Sequence, residues 1–292
     1  MIASRTVRLA DGRTLAFEVA GDPSGLPVFL AHGFPGSRLE AHVVGDAAAA
    51  AGVRLVCPDR PGFGGSDPQP GRVLADWPAD VAELAGHLGL GRFAVVGFSA
   101  GGPYALACAA LLGERVSACA IVSSPGPLHR PGSTNGMAAV NRILFGAGRR
   151  VPLLAGLVVR LIARFARAEQ AVVGRRMAQG MAPSDRRLLS QPPIGAAYGA
   201  AVREAFRQGS TGPILEAALL VRPWAFSVDQ ISAPTSVWHG LDDRNVPARF
   251  ASEIGALIPQ AEVQRIEGAG HLLFFERAEL VFERVRKIAA SS

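Results

Sequence analysis

An α/β architecture is what this sequence predicts: a mostly parallel central sheet with helices on both faces and an inserted all-helical unit. Three observations predict it. Short apolar runs alternate with helical stretches through the first 124 residues, the pattern of parallel strands joined by crossover helices. The apolar run 92–96 enters Gly97-Phe98-Ser99-Ala100-Gly101 and leaves as the small-residue stretch 102–108, which reads as strand, sharp turn and helix. From Ser124 to Asp229 the pattern changes to helices without strands, and alternation resumes at Thr235.

Taken in order, residues 6–9 and 14–20 flank Asp11-Gly12-Arg13. Asp-Gly favours a tight hairpin because glycine accepts a positive φ, so the chain opens on an antiparallel pair. Strands follow at 28–31, 54–57, 93–97 and 116–122, with helices at 39–51, at 77–88 and after Ser99. In the inserted unit, residues 151–167 carry Leu153, Leu154, Leu157, Val158, Leu161, Ile162 and Phe165 at helical spacing along one wide face. Further helices are expected at 168–181, 195–208 and 214–221, with Pro183, Pro192-Pro193 and Pro213 as stops or starts. Strands at 235–238 and 261–266 and helices at 247–257 and 271–289 complete the chain. The expected division is a core in two parts, 1–124 and 230–292, around an insertion at 125–229.

With 49% hydrophobic and 18% charged residues in 292, the chain can bury a large core. The net charge of +6 comes from arginines that are scattered in pairs, with Lys287 the only lysine. No dense basic run with interleaved aromatics is present, so no nucleic-acid partner is expected. Cys57, Cys108 and Cys119 are odd in number, lie in apolar contexts and lack metal-ligand spacing, which fits buried thiols in a reducing compartment. The segment 1–8 has no apolar core of signal-peptide length. The apolar stretch 151–159 is broken by Arg160 and Arg164, far short of the roughly 20 residues that span a bilayer. A cytoplasmic protein without stable membrane insertion is expected. None of the six histidines shows metal-ligand spacing, so no metal or other cofactor is expected.

The turn at 97–101 forces its central residue into strained geometry, and the residues two before and two after must lack a Cβ. Gly97 and Gly101 meet that demand, leaving Ser99 at the tip of a G-x-S-x-G nucleophile elbow. A serine hydroxyl needs a neighbouring base to become a nucleophile. Downstream lie an acid candidate in His239-Gly240-Leu241-Asp242-Asp243-Arg244-Asn245-Val246-Pro247 and a base candidate in His271, which follows Gly268-Ala269-Gly270 and is expected to start a helix. Upstream, the strand at 27–31 runs into His32-Gly33-Phe34-Pro35-Gly36, a glycine-bearing loop of the kind that presents backbone amides.

Together with Asp59-Arg60-Pro61-Gly62-Phe63-Gly64-Gly65-Ser66-Asp67 and Ile231-Ser232-Ala233-Pro234-Thr235, these motifs resemble the α/β-hydrolase superfamily nearly end to end. The resemblance implies the α/β-hydrolase fold, with 125–229 as a helical lid over the site, and the chain order nucleophile, acid, base. It implies that His271 takes the proton of Ser99 and later delivers it to the leaving group. The superfamily pattern of glycine, two residues, acid, two residues and Val-Pro, aligned on Gly240 and Val246-Pro247, selects Asp243 as the acid and leaves Asp242 to the turn. The oxyanion amides are expected from Ala100, at a helix N-terminus, and from Phe34, since Pro35 has no N–H. Asp59 and Arg60 pair with each other or brace the loop above the sheet. Tyr104 and Trp238 read as core, His32 and His239 as loop buttresses, and nothing singles out Glu204 or Glu216.

The activity implied is a serine hydrolase acting on a carboxylic ester, lactone or thioester with an apolar portion, because the lid is rich in Leu, Val, Ile and Phe. Leu157 and Leu161 are expected to touch the substrate. The same residues would also suit C–C bond hydrolysis, lyase chemistry or cofactor-free haloperoxidase chemistry. A third class is a ligand-binding member of the fold without turnover.

Overall fold

The computed structural model describes residues 5–258 and 260–291; residues 1–4 of the segment searched for a leader lie outside them. The hairpin forms as expected: β1 (Arg5–Arg8) pairs antiparallel with β2 (Thr14–Gly21), Arg8 facing Thr14 and Arg5 facing Phe17. Strand β2 also runs antiparallel to β4 (Val53–Pro58). Beyond it, β3 (Leu26–Ala31), β5 (Phe93–Phe98), β6 (Val116–Val122), β7 (Thr235–Gly240) and β8 (Glu262–Ile266) continue the sheet in parallel, in the spatial order β1-β2-β4-β3-β5-β6-β7-β8. The chain moves outward from β3 to β4, then returns past β3 to β5. Connections leaving β3 and β5 therefore diverge, and a crevice opens at their carboxyl ends, where ligands bind in open α/β sheets.

Every residue of β5 and β6 is buried, as expected of strands covered on both sides. Alternate residues point to opposite layers. Phe29 and Val95 face α2 (Trp77–His87), α3 (Gly102–Leu111) and α10 (Arg249–Leu257), through Leu84, Leu106 and Phe250. Leu30 and Val96 face α1 (Ala41–Ala50) and α12 (Ala278–Ala290), through Val44, Phe282 and Val285. The three cysteines are buried and unpaired, and burial pushes their thiols up, that of Cys119 to about 12.

Between β6 and β7 the chain makes one helical excursion. A short helix α4 (Ala139–Asn141) widens into a π-type turn over Arg142–Ala147, then come α5 (Pro152–Phe165), α6 (Gln170–Met177), α7 (Pro183–Ser190), α8 (Pro192–Ala205) and α9 (Thr211–Leu220). Among the described residues no helix is long and apolar enough to cross a membrane.

Several expectations need correction. The helix expected over 168–181 ends at Met177, and a separate α7 follows it. His271 does not start a helix; α11 (Leu273–Glu276) begins two residues later. Leu157 and Leu161 do not face inward, being 53% and 58% exposed. The buried stripe of α5 consists of Ala155, Gly156, Val159 and Ala163, small residues that let it lie close to its neighbours, so the leucines are turned outward. The arginines are also less scattered than the sequence suggests. Arg160, Arg164, Arg167, Arg203 and Arg207 share one open groove of about 1180 Å³, beside the buried Arg38.

Candidate active site

Ser99 sits at the carboxyl end of β5 with φ 50°, a left-handed conformation that non-glycine residues rarely adopt and that stores strain. The flanking glycines are sterically required. A Cβ on Gly97 would lie 2.6 Å from the Gly102 Cα, and one on Gly101 would collide with the Ala31 carbonyl of the neighbouring strand. The tight turn lifts the Ser99 side chain off the sheet and leads directly into α3.

The structure brings Ser99, Asp243 and His271 together, each less than a tenth exposed. Ser99 Oγ lies 3.0 Å from His271 Nε2, and His271 Nδ1 lies 2.8 Å from Asp243 Oδ2. A consistent network has the hydroxyl donating to Nε2 and Nδ1–H donating to the carboxylate, a tautomer assigned by these partners. The other oxygen of Asp243 accepts the amides of Asn245 at 2.8 Å and Val246 at 2.9 Å. Asp242, its neighbour, points away and is exposed. Burial by itself would raise the Asp243 carboxyl, but the His271 charge and hydrogen bonds from His239 and His271 hold it down, at about 2. Burial likewise opposes a charge on His271, yet the Asp243 carboxylate, with Asp185 and Glu40 behind it, keeps the imidazole above its ordinary value.

His239 and His32 act as the buttresses expected. His239 Nε2 is 2.9 Å from the Val246 carbonyl and 3.2 Å from Asp243 Oδ2, so it holds the acid's turn from behind. His32 Nδ1 is 3.0 Å from the Gly33 carbonyl, and its Nε2 accepts the Arg60 amide at 3.2 Å. Burial, reinforced by the Arg60 charge, keeps this ring well below the usual histidine value and therefore neutral.

Phe34 and Ala100 line the same cavity as Ser99 and His271. Of the two alternatives expected for Asp59 and Arg60, bracing the loop is the one seen: each takes its own partners and both hold the segment that carries Phe34. Asp59 binds the guanidinium of Arg38 at 2.6 Å, and Arg38 continues to Glu204 of α8 at 2.8 Å. Arg60 donates to the carbonyls of His32 and Gly33 and pairs with Glu216 of α9 at 2.7 Å. Its guanidinium also lies over the Tyr104 ring, 4.7 Å from the centroid. Glu216 in turn accepts from Arg72 at 2.5 Å and from the Tyr104 hydroxyl at 2.6 Å. Burial opposes the Glu216 charge, but the Arg60 and Arg72 guanidiniums hold its carboxyl below the ordinary value. Glu204 and Glu216 are thus ties between the excursion and the sheet. Glu40, also unforeseen, receives the Gly33 amide on both oxygens at 3.1 Å, and burial pushes its carboxyl up to about 8. Tyr104 and Trp238 are buried, as expected.

The cavity above Ser99 holds about 300 Å³. Its walls are mostly apolar, from Phe34, Leu144, Phe145, Ile162, Met177 and Met181. All but Phe34 belong to the excursion. Leu144 and Phe145 come from the π-type turn, which was not expected although Val140, Ile143 and Leu144 repeat at helical spacing. The wall chemistry suits a ligand with an apolar portion of modest size. The larger arginine-lined groove holds none of Ser99, Asp243 or His271.

A model of the alpha/beta hydrolase family matches residues 28–284. A Mycobacterium tuberculosis protein provisionally named the non-heme bromoperoxidase BpoC is 28% identical over 278 residues, covering 93% of this chain and 95% of its own. An alpha/beta hydrolase fold protein from Nakamurella multipartita superposes with a TM-score of 0.70 at 24% identity, over 99% of this chain and 100% of that one. A thermophilic esterase from Thermogutta terrifontis does so with a TM-score of 0.68 at 24% identity, over 99% and 98%. At such identities the structural likeness carries the fold, and the chemistry must be argued from the site.

Proposed function

The chain belongs to the alpha/beta hydrolase family, and from that premise we propose that it is a serine hydrolase cleaving a carboxylic ester, lactone or thioester through an acyl-enzyme on Ser99. The observation that carries this reading is the unbroken contact from Ser99 Oγ to His271 Nε2 and from His271 Nδ1 to Asp243 on the floor of an apolar cavity. His271 takes the hydroxyl proton as Ser99 attacks the acyl carbon, and Asp243 stabilises the imidazolium and fixes its tautomer. The negative charge on the former carbonyl oxygen is met by the amides of Phe34 and Ala100, the latter aided by the α3 dipole. The tetrahedral intermediate collapses, the leaving group departs with the His271 proton, and water repeats the sequence to release the acid. In this reading residues 125–229 form a cap that supplies the acyl-binding walls, and residues 1–124 with 230–292 form the core. The unpaired, buried cysteines fit a cytoplasmic setting.

Turnover of p-nitrophenyl esters and lactones of graded chain length, beside Ser99→Ala, tests the reading. Wild-type hydrolysis and a loss on the order of 10⁴–10⁶-fold in the variant are expected. Equal rates would overturn the serine mechanism. A wild-type protein that neither turns over any of these nor labels with a fluorophosphonate would instead be a binding protein. The provisional name of the mycobacterial relative favours a second use of the same residues, peroxide-dependent halogenation without a cofactor. Bromination dependent on hydrogen peroxide and a carboxylate, absent in Ser99→Ala, would mark it.

A further inference from the structure

His271 is held from two sides by two carboxylates. Asp243 holds the ring. The second carboxylate holds the main chain and comes from the cap. Helix α7 opens with Pro183, and its third residue, Asp185, is 2% exposed. Its Oδ2 accepts the amide of His271 at 3.0 Å and that of Ala182 at 3.3 Å, and its Oδ1 accepts the amide of Leu272 at 2.8 Å. A Cβ on Gly270 would fall on this carboxylate, so the glycine turn is shaped to admit it. The amides of His271 and Leu272 lead into α11 and need acceptors; the acceptor is 86 residues away in sequence.

The segment before His271 is Gly268-Ala269-Gly270, with Gly268 at φ 71°, a run that holds its shape poorly without outside contacts. We propose that Asp185 is a positioning residue that latches the His271 turn to the cap, so that His271 reaches Ser99 only while α7 is docked. The proposal rests on the serine-hydrolase reading and adds to it a coupling between cap closure and base alignment. A substrate entering beneath the cap meets an unaligned site until α7 seats, which limits idle reaction with water.

The latch also carries charge. The groups around His271 are Asp243 from the turn after β7, with His239 of β7 behind it, Ser99 from the elbow, Glu40 from beneath the Phe34 loop, and Asp185 and Tyr198 from the cap. Asp185 adds to Asp243 in favouring the imidazolium. Burial pushes its own carboxyl up, against the Leu272 and His271 amides that favour the ionised form.

Three variants separate position from charge. Asp185→Asn keeps an acceptor oxygen and removes the charge; Asp185→Ala removes both; Asp185→Glu keeps the charge but overfills the site. With the best ester of the wild-type panel, kcat should fall about ten- to a hundredfold in the Ala and Glu variants, the usual cost of displacing a reacting group by about an ångström, with KM changed little. The acid limb of the kcat/KM profile should move to lower pH in Asn and Ala and stay in place in Glu. A merely structural residue would lower the amount of folded protein and leave that limb unmoved. Should the Asp185 variants fail to fold, Gly270→Ala approaches the contact from the other side and should lower kcat in the same way. Wild-type kcat in Asp185→Ala, or in Gly270→Ala, overturns the latch while wild-type turnover leaves the serine reading standing. A wild type with no turnover and no fluorophosphonate labelling removes both.

Discussion

Asp242 and Asp243 are adjacent, yet one is exposed to solvent and the other is buried against two histidines and two amides. That contrast yields a ranking. Asp243→Asn should lose up to about 10⁴-fold in kcat, because the amide favours the wrong imidazole tautomer, whereas Asp242→Asn should stay close to wild type. Near-normal kcat in Asp243→Asn would move the orienting role elsewhere. The same environment sets the pH response. His271 must be neutral to accept a proton, and its partners hold it above the ordinary histidine value, so kcat/KM should rise with pH through a midpoint above about 6.5; a midpoint at or below that value would contradict the arrangement. Ser99 and His271 were legible in sequence as candidates because paired glycines and a glycine turn mark them locally, whereas Asp243 was picked from Asp242 only by the Gly-to-Val-Pro pattern of the superfamily that the chain resembles. Asp185 and Glu216 were not legible, since each makes its decisive contact with a group far along the chain; Glu40, only seven residues from Gly33, was missed because a single buried carboxylate has no local signature. Only Pro183, read as a stop or start, hinted that a helix opened at that point.

Among the elements, α5 shows how amphipathicity can mislead. Its leucines form the wider apolar face in sequence, but the face that packs is the small-residue stripe of Ala155, Gly156, Val159 and Ala163. Replacing Leu157 and Leu161 with alanine should therefore leave chain-length preference among esters unchanged, while Leu144→Ala or Ile162→Ala, at the cavity wall, should shift it toward longer acyl groups. Preference that follows Leu157 and Leu161 instead would mean that α5 rotates in the working protein. Helix α9 is fastened differently, through Glu216 to Arg60 and Arg72. Truncating one partner of a buried ion pair strands the other charge, at a cost of about 3–5 kcal/mol. Glu216→Ala should lower stability by roughly that much in a denaturant titration; a change under about 1 kcal/mol would mean that the cluster relaxes or hydrates. The sheet elements were readable because alternation and strand-end glycines repeat across the chain. The excursion was read less well: α7 is short and polar, and the π-type turn breaks the regular helical period just where it shapes the cavity.

Across the whole molecule, buried titratable groups tie stability to pH in both directions. A carboxyl raised in the folded state, as Glu40 is to about 8, binds a proton that the unfolded chain has already lost, so its contribution is present below the unfolded value and fades as pH rises toward 8. His271, also raised, works in the same direction, its contribution lost as pH climbs through its folded value. Asp243, lowered to about 2, acts only below the ordinary carboxylate range, where its contribution disappears on acidification. His32, held well below the ordinary histidine value, pulls the other way, so the test is a comparison: Glu40→Gln should lose less denaturant midpoint, or gain more, between pH 5 and pH 8 than the wild type, and the same pH dependence in both would count against the buried, protonated Glu40. The sheet topology reaches further. Strands β6 and β7 are parallel neighbours, so the excursion is one crossover, leaving the carboxyl end of β6 and coming back across the sheet to the amino end of β7. Lengthening such a connection costs little, about 0.6 kcal/mol per doubling. Descent with modification can thus exchange or resize this segment as a cassette and alter what is bound without rebuilding the sheet. A restriction lies in its ties to the core, among them those at Asp185, Glu204 and Glu216: a transplanted segment lacking them would sit on the scaffold yet leave the histidine turn and the Phe34 loop without these fastenings.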